Sequence, residues 1–273
     1  MNLRSCRVYD VPTNILVLLI VIVGAMPRGR RHYPLSRPDA EVRSVKREDI
    51  ARLDRLLPLS AAPVLHDQPD WRTYIRSHHD VFLEEYDAFV LKAAAPLHRA
   101  SVGIVASCDV FDKWNTIILR LFDRDTDYAL MFPNTMKVLN VTERVSSIIF
   151  STLSPGAHLV AHRGMSRTVL RYHLGLRVPH DNNNCHITLW DENKVMYRHA
   201  WEDGKDVVFD DNYLHEVVNH KAEPRTILFL DIKREFDTNE FNELRDIIMK
   251  LARDSVDNNE IYAINAEAPK VTY

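Results

Sequence analysis

From about residue 112 the helical spacing of apolar residues gives way to short β-rich segments, and this change constrains the fold more than any other feature. The segments read "WNTIILRLF", "RVSSIIFSTL", "RTVLRYHLGLRV", "CHITLW", "KDVVFD" and "RTILFLDIK". Turn chemistry separates them: "PG" at 155–156, "PHDNNN" at 179–184, "DEN" at 191–193 and "EDG" at 202–204. Many short strands at even spacing predict an antiparallel sandwich or jelly roll. Seven glycines among 273 residues leave little room for a Gly-rich phosphate loop, and no Walker or dinucleotide fingerprint is present. A net charge of -3 gives no reason to expect a nucleic-acid partner.

The strands carry unusual amounts of nitrogen. Eight of the thirteen histidines lie between residues 158 and 220. Alternate residues of a strand share a face, so in "RTVLRYHLGLRV" Val169, Arg171, His173 and Gly175 oppose Leu170, Tyr172, Leu174 and Leu176. One face is apolar and must pack against something. The other sets a guanidinium beside an imidazole, which is costly to bury unless an anion or a metal satisfies it. In "RTILFLDIK" Arg225, Ile227, Phe229 and Asp231 share a face in the same way. Two histidine-then-arginine pairs therefore recur, His162 with Arg171 and His215 with Arg225, spaced nine and ten residues.

A jelly roll that converges these groups can hold a divalent metal and a dicarboxylate in its mouth. Two imidazoles suit Fe(II) while leaving coordination positions open, and an arginine deeper in the barrel can grip a carboxylate bidentately. The usual third protein ligand is a carboxylate two residues after the first histidine; here that position is Gly164. Arg171 and Arg225 have a competing structural reading, as partners of Asp210 and Asp211 in "FDD". His158, His180, His186, His199 and His220 are read as structural.

Four stretches, "FSTLSPGAHLVAHRG", "LRYHLGLRVP", "WEDGKDVVFDDNYLHEVVN" and "RTILFLDI", carry a more specific signal. In order and spacing, residues 132–233 resemble the aspartyl/asparaginyl β-hydroxylase family of Fe(II)/2-oxoglutarate-dependent dioxygenases. The resemblance implies a mainly β fold, a double-stranded β-helix of jelly-roll or cupin-like type with an α-helical annex. It implies His162 and His215 as iron ligands, Arg171, His173 and Arg225 as contacts to 2-oxoglutarate, and O₂ as co-reactant. Ser151, eleven residues before His162, falls where the family has a serine touching the co-substrate. Animal members also carry glycine at the position of Gly164 and bind iron through two histidines, with water at the vacated position. Related bacterial enzymes that hydroxylate the acyl chain of lipid A have "HRD" there. The implied substrate is the β-carbon of Asp or Asn in a peptide or protein, favoured by Gly164; a lipid acyl chain is the alternative, suggested by "LRYHLGL", the short helical annex and a candidate membrane anchor. A catalytically inactive ligand-binding relative, and a zinc hydrolase with two histidines and water, remain as readings of other classes.

The flanks divide the chain into residues 1–34, a hydrophobic N-terminal segment; 35–100, helical; 101–236, the dioxygenase domain; and 237–273, a C-terminal helix and tail. In the helical part, "REDIARLDRLL" sets Ile50, Leu53, Leu56 and Leu57 on one stripe, and residues 70–93 place Trp71, Tyr74, Ile75, Phe82, Tyr86, Phe89 and Val90 at helical spacing. The last helix aligns Phe241, Leu244, Ile248 and Leu251. At the N-terminus, residues 15–26 read "ILVLLIVIVGAM", extendable to residues 11–26, a candidate single-pass membrane anchor. A signal peptide and a buried element are the rivals, although Pro27 makes a poor cleavage site. Arg28, Arg30 and Arg31 outweigh Arg4 and Arg7, which places the catalytic domain in the cytosol if the segment spans. Cys6, Cys108 and Cys185 form no CxxC pair and no disulfide framework.

Overall fold

The computed structural model describes residues 47–92, 113–164, 166–180 and 184–255. Its strands are β1 (Val64–Leu65), β2 (Trp114–Leu121), β3 (Arg124–Asp125), β4 (Val145–Leu153), β5 (Ala157–His162), β6 (Val169–Arg177), β7 (Cys185–Trp190), β8 (Met196–Ala200), β9 (Asp206–Phe209), β10 (Leu214–Asn219) and β11 (Arg225–Lys233). Its helices are α1 (Arg47–Asp54), α2 (Asp70–Ser77), α3 (His79–Lys92), α4 (Pro133–Leu139) and α5 (Asn239–Ser255).

The strands form a seven-stranded sheet, β1-β9-β6-β11-β4-β2-β3, and a four-stranded sheet, β5-β10-β7-β8, with antiparallel ladders throughout. The eight strands from β4 to β11 are shared equally, as β9-β6-β11-β4 in one sheet and β5-β10-β7-β8 in the other. That connectivity is the double-stranded β-helix, a jelly roll of two Greek keys.

The alternation read in β6 and β11 sorts their residues between two cores. Tyr172, Leu174, Leu176, Leu228, Leu230 and Ile232 face outward and pack with Ile75 of α2, Phe82 and Tyr86 of α3, and Met136 and Leu139 of α4. Burying each such side chain is worth about 1.5–3 kcal/mol, so the helical annex is held firmly against the back of the large sheet. Ile227 and Phe229 turn the other way, toward Leu159, Ile187, Leu189, Trp201, Phe209 and Val217 between the sheets. A third cluster joins Ile50 of α1 to Ile248 of α5 beside Leu121.

The helical spacing read over residues 70–93 is realised as two helices, α2 and α3. His78 leaves helical geometry (φ -102°, ψ 20°). Its Nδ1 and the Ser77 hydroxyl both hydrogen-bond the Tyr74 carbonyl, so side chains close the last turn of α2 before α3 begins. Strands β5 and β8 and helix α4 were not read as elements in the sequence. Residues 11–26 lie outside the described residues, among which no helix is long and apolar enough to cross a membrane.

Candidate active site

The ladder between β5 and β10 sets His215 directly opposite His162. Their rings lie side by side, with centroids 4.2 Å apart. His162 Nδ1 donates to the Val160 carbonyl at 2.7 Å, and His215 Nδ1 donates to the Tyr213 carbonyl at 3.0 Å. A proton on Nδ1 leaves the lone pair on Nε2, the tautomer a metal requires. Burial holds both imidazoles below their usual pKa, His215 far below, and the neighbouring His162 ring depresses His215 further. Burial thus favours the neutral form of both rings.

The large sheet supplies the facing wall in successive rungs. At the mouth, register aligns Phe209, Arg171, Asp231 and Ser147 across β9, β6, β11 and β4. The next rung aligns Val207, His173, Phe229 and Ile149. Below it Ile227 pairs with Ser151, and at the floor Arg225 pairs with Leu153.

Arg171 is held on two sides. Its Nε donates to Asp211 Oδ2 at 2.8 Å, its Nη1 donates to Asp231, and its guanidinium lies 5.0 Å from the Phe229 ring. The structural reading of Arg171 as a partner of Asp211 is thus realised, although some of its N–H groups remain for a ligand. Arg225 differs. It is 2% exposed, and its Nε and Nη1 have no hydrogen-bond partner. Burial pulls its pKa down to about 10, and among the described residues no carboxylate opposes the effect. Both ring nitrogens of buried His173 also lack partners, and burial, then Arg225 and Arg171, hold this imidazole neutral. Ser151 is buried and accepts a hydrogen bond from Trp114 Nε1 at 3.0 Å, leaving its own proton to donate. The structure therefore brings all six sequence-selected residues to the two facing inner walls.

Gly164 resolves locally. A Cβ built there would lie 2.1 Å from Asp211 Cγ, and the Gly164 amide donates to the Asp211 carbonyl at 2.6 Å. The Asp211 carboxylate fills the space that a side chain at 164 would need, close enough to His162 for their charges to interact. Sequence reasoning missed this role for Asp211; "FDD" marked it only as a partner for arginine. Among the described residues no group of three or more His, Cys, Asp or Glu side chains is gathered to hold a metal ion.

The turn after Gly164 is pinned by buried Asp54, which accepts from Ser166 Oγ at 2.7 Å and from the Arg167 amide at 3.0 Å. Burial raises the Asp54 carboxyl to about 6. Asp210, fully buried, accepts from the Ser60 amide and hydroxyl and from Asn212, and pairs with Arg234.

Residues 72–235, more than half of the chain, match the sequence model of the family described as aspartyl/asparaginyl beta-hydroxylase. The chain belongs to this family. An ornithine lipid ester-linked acyl 2-hydroxylase of Rhizobium tropici is 31% identical over 163 residues, 59% of this chain and 56% of that protein. The human aspartyl/asparaginyl beta-hydroxylase is 36% identical over 89 residues, 33% of this chain and 11% of that protein. The chain thus spans about half the length of the first curated relative and about a tenth of the second. Among solved structures, a 2OG-Fe(II) oxygenase family oxidoreductase from Burkholderia pseudomallei superposes with a TM-score of 0.40 at 12% identity, covering 62% of this chain and 92% of that one.

Proposed function

We propose that this member of the aspartyl/asparaginyl beta-hydroxylase family is an Fe(II)- and 2-oxoglutarate-dependent dioxygenase that hydroxylates an unactivated C–H bond. One juxtaposition supports the reading: two imidazoles whose Nδ1 protons are spent on backbone carbonyls face a wall whose deep cation, Arg225, has no carboxylate partner among the described residues. His162 and His215 would hold the ferrous ion. Arg225, assisted by the Ser151 hydroxyl, would anchor the distal carboxylate of 2-oxoglutarate, with His173 and the remaining N–H groups of Arg171 serving its keto-acid end. Bound together, iron, 2-oxoglutarate and O₂ supply the oxidising power, and the co-substrate leaves as succinate and CO₂ while the C–H bond becomes an alcohol. The chain's own contribution is geometric and electrostatic. It keeps the imidazoles unprotonated, fixes Arg171 before a ligand arrives, and walls the site with Phe209, Phe229 and Trp201 so that water is excluded.

The substrate reading keeps two classes. The first is the β-carbon of an Asp or Asn side chain in a peptide or protein, the activity named for the human relative. The second is a lipid acyl chain, favoured by the longer match to the ornithine lipid hydroxylase. The two share a chemical element: an Asp β-carbon lies next to the side-chain carbonyl carbon, as position 2 of an acyl chain lies next to its ester carbonyl. Incubation with Asp- and Asn-containing peptides and with lipid extracts, scored for a mass gain of one oxygen, decides between them. Failure to convert 2-oxoglutarate to succinate with iron and ascorbate present would instead mark a ligand-binding relative. We further propose residues 11–26 as a single-pass anchor that leaves the catalytic domain in the cytosol. Membrane fractionation with and without residues 1–34 tests it, and recovery of the intact chain in the soluble fraction would refute it.

A further inference from the structure

Arg225 is the most exacting side chain in the barrel, a buried cation with no carboxylate beside it among the described residues. What it has is an aromatic face: its guanidinium carbon lies 4.3 Å from the centre of the Trp201 ring. An aromatic face attracts a cation through its quadrupole, most strongly where water is excluded. Trp201 is fully buried, and its ring is bounded by His173 at 6.1 Å and His199 at 6.3 Å. A carboxylate in that place would neutralise Arg225 and occupy its N–H groups. An indole steadies the charge and leaves those groups available to an incoming anion.

The backbone is arranged to deliver this ring. Trp201 precedes a loop laid against the end of β6, where the Gly175 amide donates to the Lys205 carbonyl at 3.0 Å and the Gly204 amide donates to the Gly175 carbonyl at 2.9 Å. Asp203 Oδ1 accepts from the Val178 amide at 2.6 Å. A Cβ on Gly175 would sit 2.1 Å from the Glu202 carbonyl oxygen, so the loop can lie this close only over glycine. The residue after Trp201 is thereby fixed against the strand.

We propose that Trp201 is the positioning residue that holds Arg225 extended and unpaired, and so sets the preference of this site for a co-substrate with a second carboxylate. This rests on the reading of Arg225 as the carboxylate anchor. The experiment compares two ligands of equal chain length, 2-oxoglutarate and 2-oxopentanoate, the second lacking the distal carboxylate. Binding of each to Mn(II)-loaded protein is measured by calorimetry, and the readout is the ratio of the two affinities. A purely structural loss lowers both affinities and leaves the ratio alone. In Trp201→Leu the ratio is expected to fall by at least about tenfold, while Trp201→Phe keeps it within roughly threefold of wild type, because an aromatic face remains. If Trp201→Leu does not fold, tetrafluorotryptophan at position 201 preserves the ring's shape while draining its π face, and the ratio is expected to fall about threefold or more. An unchanged ratio in the folded leucine or fluorinated protein overturns the role of Trp201 while the co-substrate reading stands. A wild-type protein that binds both acids equally overturns the anchor reading itself, and the proposal with it.

Discussion

The mouth and the floor of the barrel treat a buried arginine in opposite ways. At the mouth, Arg171 is bracketed by Asp211 and Asp231, while Asp54 and Asp210 pin the neighbouring segments at Ser166 and Asn212. At the floor, Arg225 meets an aromatic face and carries two nitrogens with no hydrogen-bond partner among the described residues. A buried cation with matched carboxylates is satisfied by the fold itself, whereas one without them is costly to bury until an anion meets it. The contrast separates two arginines that look alike in the sequence, each following a histidine by nine or ten residues.

Five substitutions break or sharpen that contrast. Arg171→Ala strands two buried carboxylates, so unfolding free energy should fall by about 3–5 kcal/mol, read from urea melts of the ligand-free protein. A loss below about 1 kcal/mol would show that the bracket does not hold the mouth together. For Arg225→Ala the two readouts reverse. Stability of the ligand-free protein should change by less than about 1 kcal/mol, while affinity for 2-oxoglutarate drops roughly a hundredfold, equivalent to about 2.7 kcal/mol. Equal affinity in the variant would remove Arg225 from the co-substrate site.

Gly164→Ala drives a methyl group into the Asp211 carboxylate. It should cost about 2 kcal/mol of stability and weaken metal binding, because Asp211 must leave its place beside His162. Gly164→Asp should fare worse, although it restores the carboxylate that the motif lacks. A gain in metal affinity on either change would contradict the account given for this glycine. The smallest effect is a pH slope. The Asp54 carboxyl is raised from 3.8 to about 6 in the folded protein, so the folded state binds its proton more tightly than the unfolded chain. The stabilisation is complete below about pH 3.8 and is lost as pH rises through about 6. Between pH 4 and 7, wild type should lose roughly 1–2 kcal/mol relative to Asp54→Asn, below the ~3 kcal/mol ceiling that the shift implies. Parallel pH profiles for the two proteins would refute it.

Much of this site was legible in the sequence because strands obey a period of two. Alternation in "RTVLRYHLGLRV" and "RTILFLDIK" assigned Arg171, His173 and Arg225 to one side and the apolar residues to the other, and the ladders agree. Strands β5 and β8 escaped because "AHLVAH" and "MYRHA" are short and partly exposed, so burial imposes little pattern on them. The break at His78 depends on side chains capturing a single carbonyl, a local event invisible to helical periodicity. Asp211 was seen but misjudged. Its place over Gly164 depends on two loops 47 residues apart meeting in space, and no spacing rule encodes that.

The smaller sheet has one further property that follows from its strand order. His162 is the last residue of β5, which has a neighbour on one side only, and His215 sits in the adjacent strand β10. A metal shared by these two rings would act as a rivet through the sheet's margin, securing an edge strand to its neighbour. Amide exchange at residues 159–162 should slow when metal is added, so loading the centre and finishing the barrel become a single event.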